Sequence, residues 1–109
     1  AINMAWKSAR IQDDPSTGHS NTTGTIVFAT SGPNTRTSQL FINFKNNSNL
    51  DRMGFTPFGS VVEGMDVVNN LNNQYGQTAD QNRITLEGNS YLKTNFPKMD
   101  FITSAFILP

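Results

Sequence analysis

Few side chains in this sequence are equipped to make or break bonds. The candidates for acid–base work are two adjacent carboxylates, Asp13 and Asp14, followed by Pro15. Neighbouring side chains in an extended segment point to opposite sides, so the two are not placed to share a substrate proton. The run Asp13-Asp14-Pro15-Ser16-Thr17-Gly18 reads instead as a turn. His19 is the only histidine and cysteine is absent, which leaves no ligand set for a transition metal and no thiol nucleophile. No metal and no cofactor are expected, and His19 reads as a loop residue. Asn21-Thr22-Thr23 and Asn46-Asn47-Ser48 fit the glycosylation acceptor pattern, which an Asn-rich chain produces often by chance.

The chain has 109 residues, enough for one domain of ordinary size and no more. Lys plus Arg is 8 and Asp plus Glu is 8, for a formal net charge of +0. A nucleic-acid partner is therefore not expected, because such binders carry a basic excess that releases counterions from phosphates. No apolar run approaches the roughly 20 residues that span a bilayer. Ala1 to Arg10 lack the basic start and apolar middle of a signal peptide. The segment reads as soluble, and its compartment is left undetermined. Hydrophobic residues make up 36%, so the core should be modest. Much of the polarity comes from amides, with Asn46, Asn47 and Asn49 in one cluster and Asn69, Asn70, Asn72 and Asn73 in another. Such residues favour turns and local side-chain hydrogen bonds.

These patterns place the elements. Ala1 to Gly24 has weak periodicity and reads as mostly irregular, with Trp6 packing an apolar face. Thr25 to Thr30 is β-branched and aromatic, bounded by Gly24 and Gly32-Pro33-Asn34, and predicts a strand. Gln39 to Phe44 predicts a second, with Phe41 and Asn43 on one face and Leu40, Ile42 and Phe44 on the other. A third strand is expected from Phe58 to Val62. Met65, Val67, Val68 and Leu71 predict an amphipathic helix of about three turns. Gln74 to Arg83 reads as a polar loop, Leu86 to Phe96 as a helix closed by Pro97, and Asp100 to Leu108 as a last strand. Four strands with one or two helices leave sheet edges open.

The blocks Gly24-Thr25-Ile26-Val27-Phe28-Ala29, Gly32-Pro33-Asn34-Thr35, Ser38-Gln39-Leu40-Phe41-Ile42, Leu50-Asp51, Phe58-Gly59 and Glu63-Gly64-Met65-Asp66-Val67-Val68 agree in order and spacing over about forty-five residues. Together they resemble the cyclophilin family of peptidyl-prolyl isomerases. Trp6, Asp13-Asp14-Pro15 and Phe96-Pro97-Lys98-Met99-Asp100 look like a longer, bacterial-style subgroup. The family fold is a closed eight-stranded antiparallel barrel capped by helices, and a complete domain is roughly half as long again as this chain. The resemblance thus implies a mainly β fold with capping helices, an incomplete cyclophilin-like antiparallel β-barrel. Residues 1–109 would form the C-terminal portion of a single such domain, with the N-terminal strands and first helix upstream of Ala1. The family's principal catalytic arginine lies in a Phe-x-Arg-Val-Ile segment that no position here matches, and neither Arg10 nor Arg36 is assigned its role. No catalytic residue is expected within these 109 residues, which alone should be inactive.

Rotation about an X-Pro amide faces a barrier of about 18–20 kcal/mol. Its catalyst needs no nucleophile and no metal, only an apolar pocket for the ring, hydrogen bonds to the flanking backbone and a donor that favours the twisted amide. By resemblance, Phe41 lines the floor of the proline pocket with Leu50 beside it, and Ala29 and Thr30 pair with the extended substrate. Gln39 is a polar contact at the rim. Phe55 roughly takes the place where many members have a histidine, and Asn49 that of a tryptophan that helps hold cyclosporin. Ser31, Thr35, Arg36 and Ser38 resemble the gate of a neighbouring specificity pocket, where Arg36 would favour an acidic residue. The expected partners are proline-containing peptides or client proteins. The alternative is a catalytically silent structural or binding subunit whose missing strands come from other subunits of a larger assembly.

Overall fold

The computed structural model describes residues 2–109, and the chain divides into two compact units, the first ending at Asn69 and the second starting at Asn70. In the first unit, helix α1 (Ile2–Ser8) is followed by strands β1 (Thr25–Phe28) and β2 (Leu40–Ile42), a 3-10 helix (Ser48–Met53), strand β3 (Pro57–Ser60) and helix α2 (Met65–Asn69). The second unit holds α3 (Gln81–Glu87) and α4 (Asn89–Asn95).

The three strands form one antiparallel sheet in the order β2-β1-β3. Thr25, Ile26, Val27 and Phe28 are the β-branched and aromatic types that fit a pleated surface, and they occupy the centre. Val27 lies opposite Phe41 on β2 and Pro57 on β3, while Ile26 lies opposite Ile42 and Gly59. The register slips between Ile26 and Val27, so Phe58 is the extra residue of a bulge. Pro57 is tolerated because β3 is an edge strand of this sheet. Opposite residues share a face, so Thr25, Val27, Phe41, Asn43 and Pro57 line one side, the split that alternation predicts. Val27 on that side is 0% exposed and Asn43 is 2% exposed. On the other side the Phe28 and Phe58 rings stack with centroids 4.9 Å apart, and Leu40 and Phe58 remain about half exposed.

The interior of this unit is held by amides as much as by apolar groups. Asn21, fully buried, donates through Nδ2 to Asp51 Oδ1 at 2.6 Å and to the Phe55 carbonyl at 2.9 Å, and its backbone N–H reaches Asp51 Oδ1 at 2.9 Å. Its own side-chain oxygen accepts from Asn43 Nδ2 at 3.0 Å, which also donates to Thr25 Oγ1 at 2.8 Å. Asn47 closes the circuit, donating its side chain to Asn43 Oδ1 at 2.8 Å and its backbone N–H to the Asn21 carbonyl at 2.7 Å. Ser20 donates to the second oxygen of Asp51. These three donors hold the Asp51 carboxyl below the ordinary aspartate range, Ser20 having the largest effect, then the Asn21 side chain, then the Asn21 backbone. The network fixes the 3-10 helix against β1 and β2. That helix ends at Gly54, whose φ of 87° is left-handed and whose N–H caps the Leu50 carbonyl.

In the second unit, Asp80 caps α3 by accepting the Arg83 N–H at 3.1 Å. Gly88, at φ 62° and ψ −142°, breaks the chain between α3 and α4. Tyr91 is the buried anchor: Phe96 meets it edge-on at 5.6 Å, Arg83 lies 4.1 Å from its ring centroid, and its hydroxyl accepts the Asp80 N–H at 3.0 Å. The Arg83–Glu87 pair at 2.7 Å raises the arginine pKa and lowers that of Glu87, in each case first through the side-chain hydrogen bond.

Several expectations are corrected. The opening segment is mostly irregular, as expected, but it also contains helix α1, which forms from local helix-compatible residues and buries none of them; Trp6 is 60% exposed rather than packed. The helix expected at Leu86 to Phe96 is two helices, because Gly88 interrupts it and the Asp80 cap starts α3 inside the supposed loop. Its end before Pro97 stands, with Phe96 out of helical angles. Helix α2 is five residues, shorter than expected. No strand forms at 100–108: a ladder needs a neighbouring edge, and Ile102, Phe106, Ile107 and Leu108 are 76–96% exposed. The expected mainly β character is also corrected, since helical residues outnumber strand residues among those described; the sheet is open, which is consistent with the incomplete barrel expected.

Two predictions follow from the amide network. Asn21→Ala leaves buried partners of Asn21 unmatched and should destabilise the whole protein by about 1–3 kcal/mol in chemical denaturation, whereas Asn46→Ala, at an exposed position, should cost within about 0.5 kcal/mol. A carboxyl whose pKa is depressed on folding stabilises above its unfolded value, and that contribution disappears as pH falls through the folded value. The stability advantage of the native protein over Asp51→Asn should therefore be steady at pH 5–6 and shrink below about pH 4. A pH-independent difference would contradict the assignment.

Candidate functional site

Phe41 is at the centre of β2, directly across from the buried Val27. Its ring meets Phe55 edge to face, with centroids 5.7 Å apart and planes at 74°, a geometry aromatic pairs prefer. Phe41, Leu50 and Phe55 are each partly exposed, so apolar surface is presented rather than sealed away. Leu50 is tied in through its backbone: its N–H donates to the Asn47 carbonyl at 2.9 Å and its carbonyl accepts the Phe55 N–H at 3.4 Å. The Asn21 side chain holds the Phe55 carbonyl from the other side. Phe41 and Phe55 are thus brought together in space, and Leu50 is hydrogen-bonded to Phe55 on an element anchored by Asn21, Asn43 and Asp51. The last three escaped the sequence reading as scaffold residues. Only Asn43 gave a signal, by sharing the face of Phe41.

The rim residues lie on the connection from β1 to β2. The Ala29 N–H donates to the Gln39 carbonyl at 2.9 Å, continuing the β1–β2 ladder and setting Ala29 across from Gln39. Thr30 and Thr35 join hydroxyls at 2.9 Å, and Thr35 Oγ1 also takes the Ser31 N–H at 2.9 Å, so the 30–35 turn is closed by its own side chains. Ser31, Ser38 and Gln39 are exposed, and Ala29, Thr30 and Thr35 partly so.

Arg36 behaves differently from the other gate residues. It is 5% exposed, and its guanidinium lies 5.5 Å from the Phe28 ring centroid. Nη1 contacts Asp14 Oδ2 at 3.0 Å, Nε lies 3.5 Å from Asp13 Oδ1, and Nη2 donates to the Gln12 carbonyl. Asp13 also exchanges two hydrogen bonds with Asn34: its N–H donates to Asn34 Oδ1 at 2.8 Å, and its Oδ2 accepts the Asn34 N–H at 3.0 Å. The two carboxylates do converge, on a cation rather than on a proton. A guanidinium enclosed by its own chain has no open face to receive an acidic side chain, so the acid-selecting role expected of Arg36 does not fit this geometry.

Beside the 30–35 turn is a cleft of about 160 Å³ lined by Asp13, Thr30, Gly32, Pro33, Met53 and Gly54. It connects the rim to the end of the 3-10 helix that carries Leu50. Among the described residues no group of three or more His, Cys, Asp or Glu is arranged to hold a metal ion.

Comparison with known proteins agrees with these features. A peptidyl-prolyl cis-trans isomerase of Acinetobacter baylyi is 42% identical over 78 residues, covering 65% of this chain and 42% of its own length. Peptidyl-prolyl cis-trans isomerase B of Escherichia coli is 36% identical over 69 residues, 56% of this chain and 42% of that protein. The human peptidyl-prolyl cis-trans isomerase-like 3 is 39% identical over 51 residues, 47% of this chain and 31% of that protein. The chain thus spans about two fifths or less of the length of these relatives. The family model described as cyclophilin type peptidyl-prolyl cis-trans isomerase/CLD matches residues 2–89, which include the sheet, the Phe41–Phe55 pair and the rim, and the chain belongs to that family.

Proposed function

We propose that the protein containing this chain catalyses cis-trans isomerisation of X-Pro bonds in peptides and client proteins, and that these residues supply the wall that receives the proline ring. The observation that carries this reading is the edge-to-face pair of Phe41 and Phe55, partly exposed and held from behind by hydrogen bonds to the backbone of Leu50 and Phe55. A proline ring is an apolar disc without a donor. An aromatic wall with Leu50 beside it gives the ring a dry surface, while Ala29, Thr30 and Gln39 at the rim are placed to grip the extended flanking backbone.

In this reading the residues preceding the chain contribute the remaining strands of one barrel and the arginine that favours the twisted amide. The open sheet, with Leu40 and Phe58 half exposed on its second face, is consistent with that division. So is the apolar segment at 101–108, which has strand-forming residues and no ladder. Ser31, Thr35 and Ser38 border the neighbouring subsite, with Arg36 as its internal brace.

The whole protein should accelerate isomerisation of a proline peptide, and Phe41→Ala should lower kcat/KM by about 10- to 100-fold, the loss expected when one large apolar contact of about 1.5–3 kcal/mol is removed. Phe41→Leu should recover part of it. If the whole protein shows no acceleration while binding proline peptides, the reading as a silent binding subunit replaces this one.

A further inference from the structure

We infer that Asp13 makes the cleft beside the 30–35 turn a subsite for a basic side chain of the substrate, close to the isomerised bond. The inference rests on the isomerase reading above and adds the charge of the preferred substrate. Two observations carry it. First, the local charges do not cancel: Asp13 and Asp14 face one guanidinium, so two carboxylates and one cation leave a net charge of −1. The arginine is buried while the Asp13 and Asp14 side chains are 43% and 63% exposed, so the surplus negative charge is on the solvent side, and of the two carboxylates Asp13 is the one that lines the cleft. Second, Asp13 is the one charged residue among the six that line the cleft. Thr30 and Gly32 offer polar groups, and Met53 with Pro33 offers apolar surface of the kind on which the alkyl stem of a lysine or arginine lies while its charged head reaches a carboxylate. Asp13 is held in place by its two hydrogen bonds with Asn34, and each carboxylate oxygen, engaged once by the Asn34 N–H or by Arg36 Nε, keeps a further lone pair for a cation.

The cleft shares Thr30 with the rim and ends at Met53 and Gly54, the residues just before Phe55. A substrate whose proline rests against Phe41 and Phe55 would therefore carry a flanking side chain within reach of Asp13. This gives the opposite selectivity to the one an exposed Arg36 would have produced.

The test measures kcat/KM of the whole protein on proline peptides that carry lysine, glutamine or glutamate, in turn, at each of the two positions before and after the X-Pro pair. At one position the order should be lysine, then glutamine, then glutamate, with a lysine-to-glutamate ratio of about two- to five-fold at low salt, the range of a half-exposed ion pair. The ratio should fall toward one in 0.5 M salt. Asp13→Asn should erase it and Asp13→Glu restore it, while Asp14→Asn, which cancels the surplus charge but leaves the Asp13 carboxylate in the cleft, should shrink the ratio without reversing the order. The amide oxygen of Asp13→Asn can still take the Asn34 N–H, which separates loss of charge from loss of the turn. Equal rates at every position in an active protein would overturn the inference and leave the isomerase reading standing. A preference that survives Asp13→Asn would overturn it as well, and no activity on any peptide would remove both.

Discussion

A fully buried asparagine is the constraint on which the first unit depends. Asn21 uses its side-chain donor and acceptor and its backbone to join three stretches far apart in sequence: the end of β2 through Asn43, the 3-10 helix through Asp51, and the approach to β3 through the Phe55 carbonyl. An apolar residue of similar volume would fill the space but leave those groups unmatched, and buried polar groups without partners cost more than a typical hydrogen bond contributes. With Val27 the main buried apolar residue of the sheet, directional bonds rather than apolar volume set where Leu50 and Phe55 are held. The Phe41–Phe55 wall is a consequence of that arrangement.

Charge is organised by a similar rule. Burial of Arg36 is tolerable only because Asp14, Asp13 and the Gln12 carbonyl surround it. Removing one partner would leave a buried charge uncompensated, so the adjacent carboxylates serve first as a structural clasp between the 11–14 segment and the 34–36 segment. An isolated bridge between Ile11 and Arg36 adds the backbone part of the same clasp. Only the excess of one carboxylate is left for an outside partner.

Legibility in the sequence follows from how local the causes are. The three strands near Val27, Phe41 and Phe58 and the face shared by Phe41 and Asn43 were readable, because alternation and β-branched runs act over a few residues. The family blocks were readable because glycine, proline and aromatic positions recur at fixed spacing. The burial of Asn21 and Arg36 was not, since it depends on partners that are 30 residues away for Asp51 and 22 for Asp14. The end of the chain follows the same rule: Ile102, Phe106 and Leu108 suit a strand, but a strand exists only beside a neighbour. The Gly88 break and the Asp80 cap, by contrast, are local causes, and the sequence carries both signals directly.

The central claim is that the partly exposed wall of Phe41, Leu50 and Phe55 receives the proline ring. The most direct measurement is intermolecular nuclear Overhauser contacts between the whole protein and a peptide isotopically labelled only at its proline. The account predicts contacts from the proline ring protons to the aromatic protons of Phe41 and Phe55 and the methyl groups of Leu50. Contacts confined to the other side of the sheet, around Leu40, Phe28 and Phe58, would contradict it.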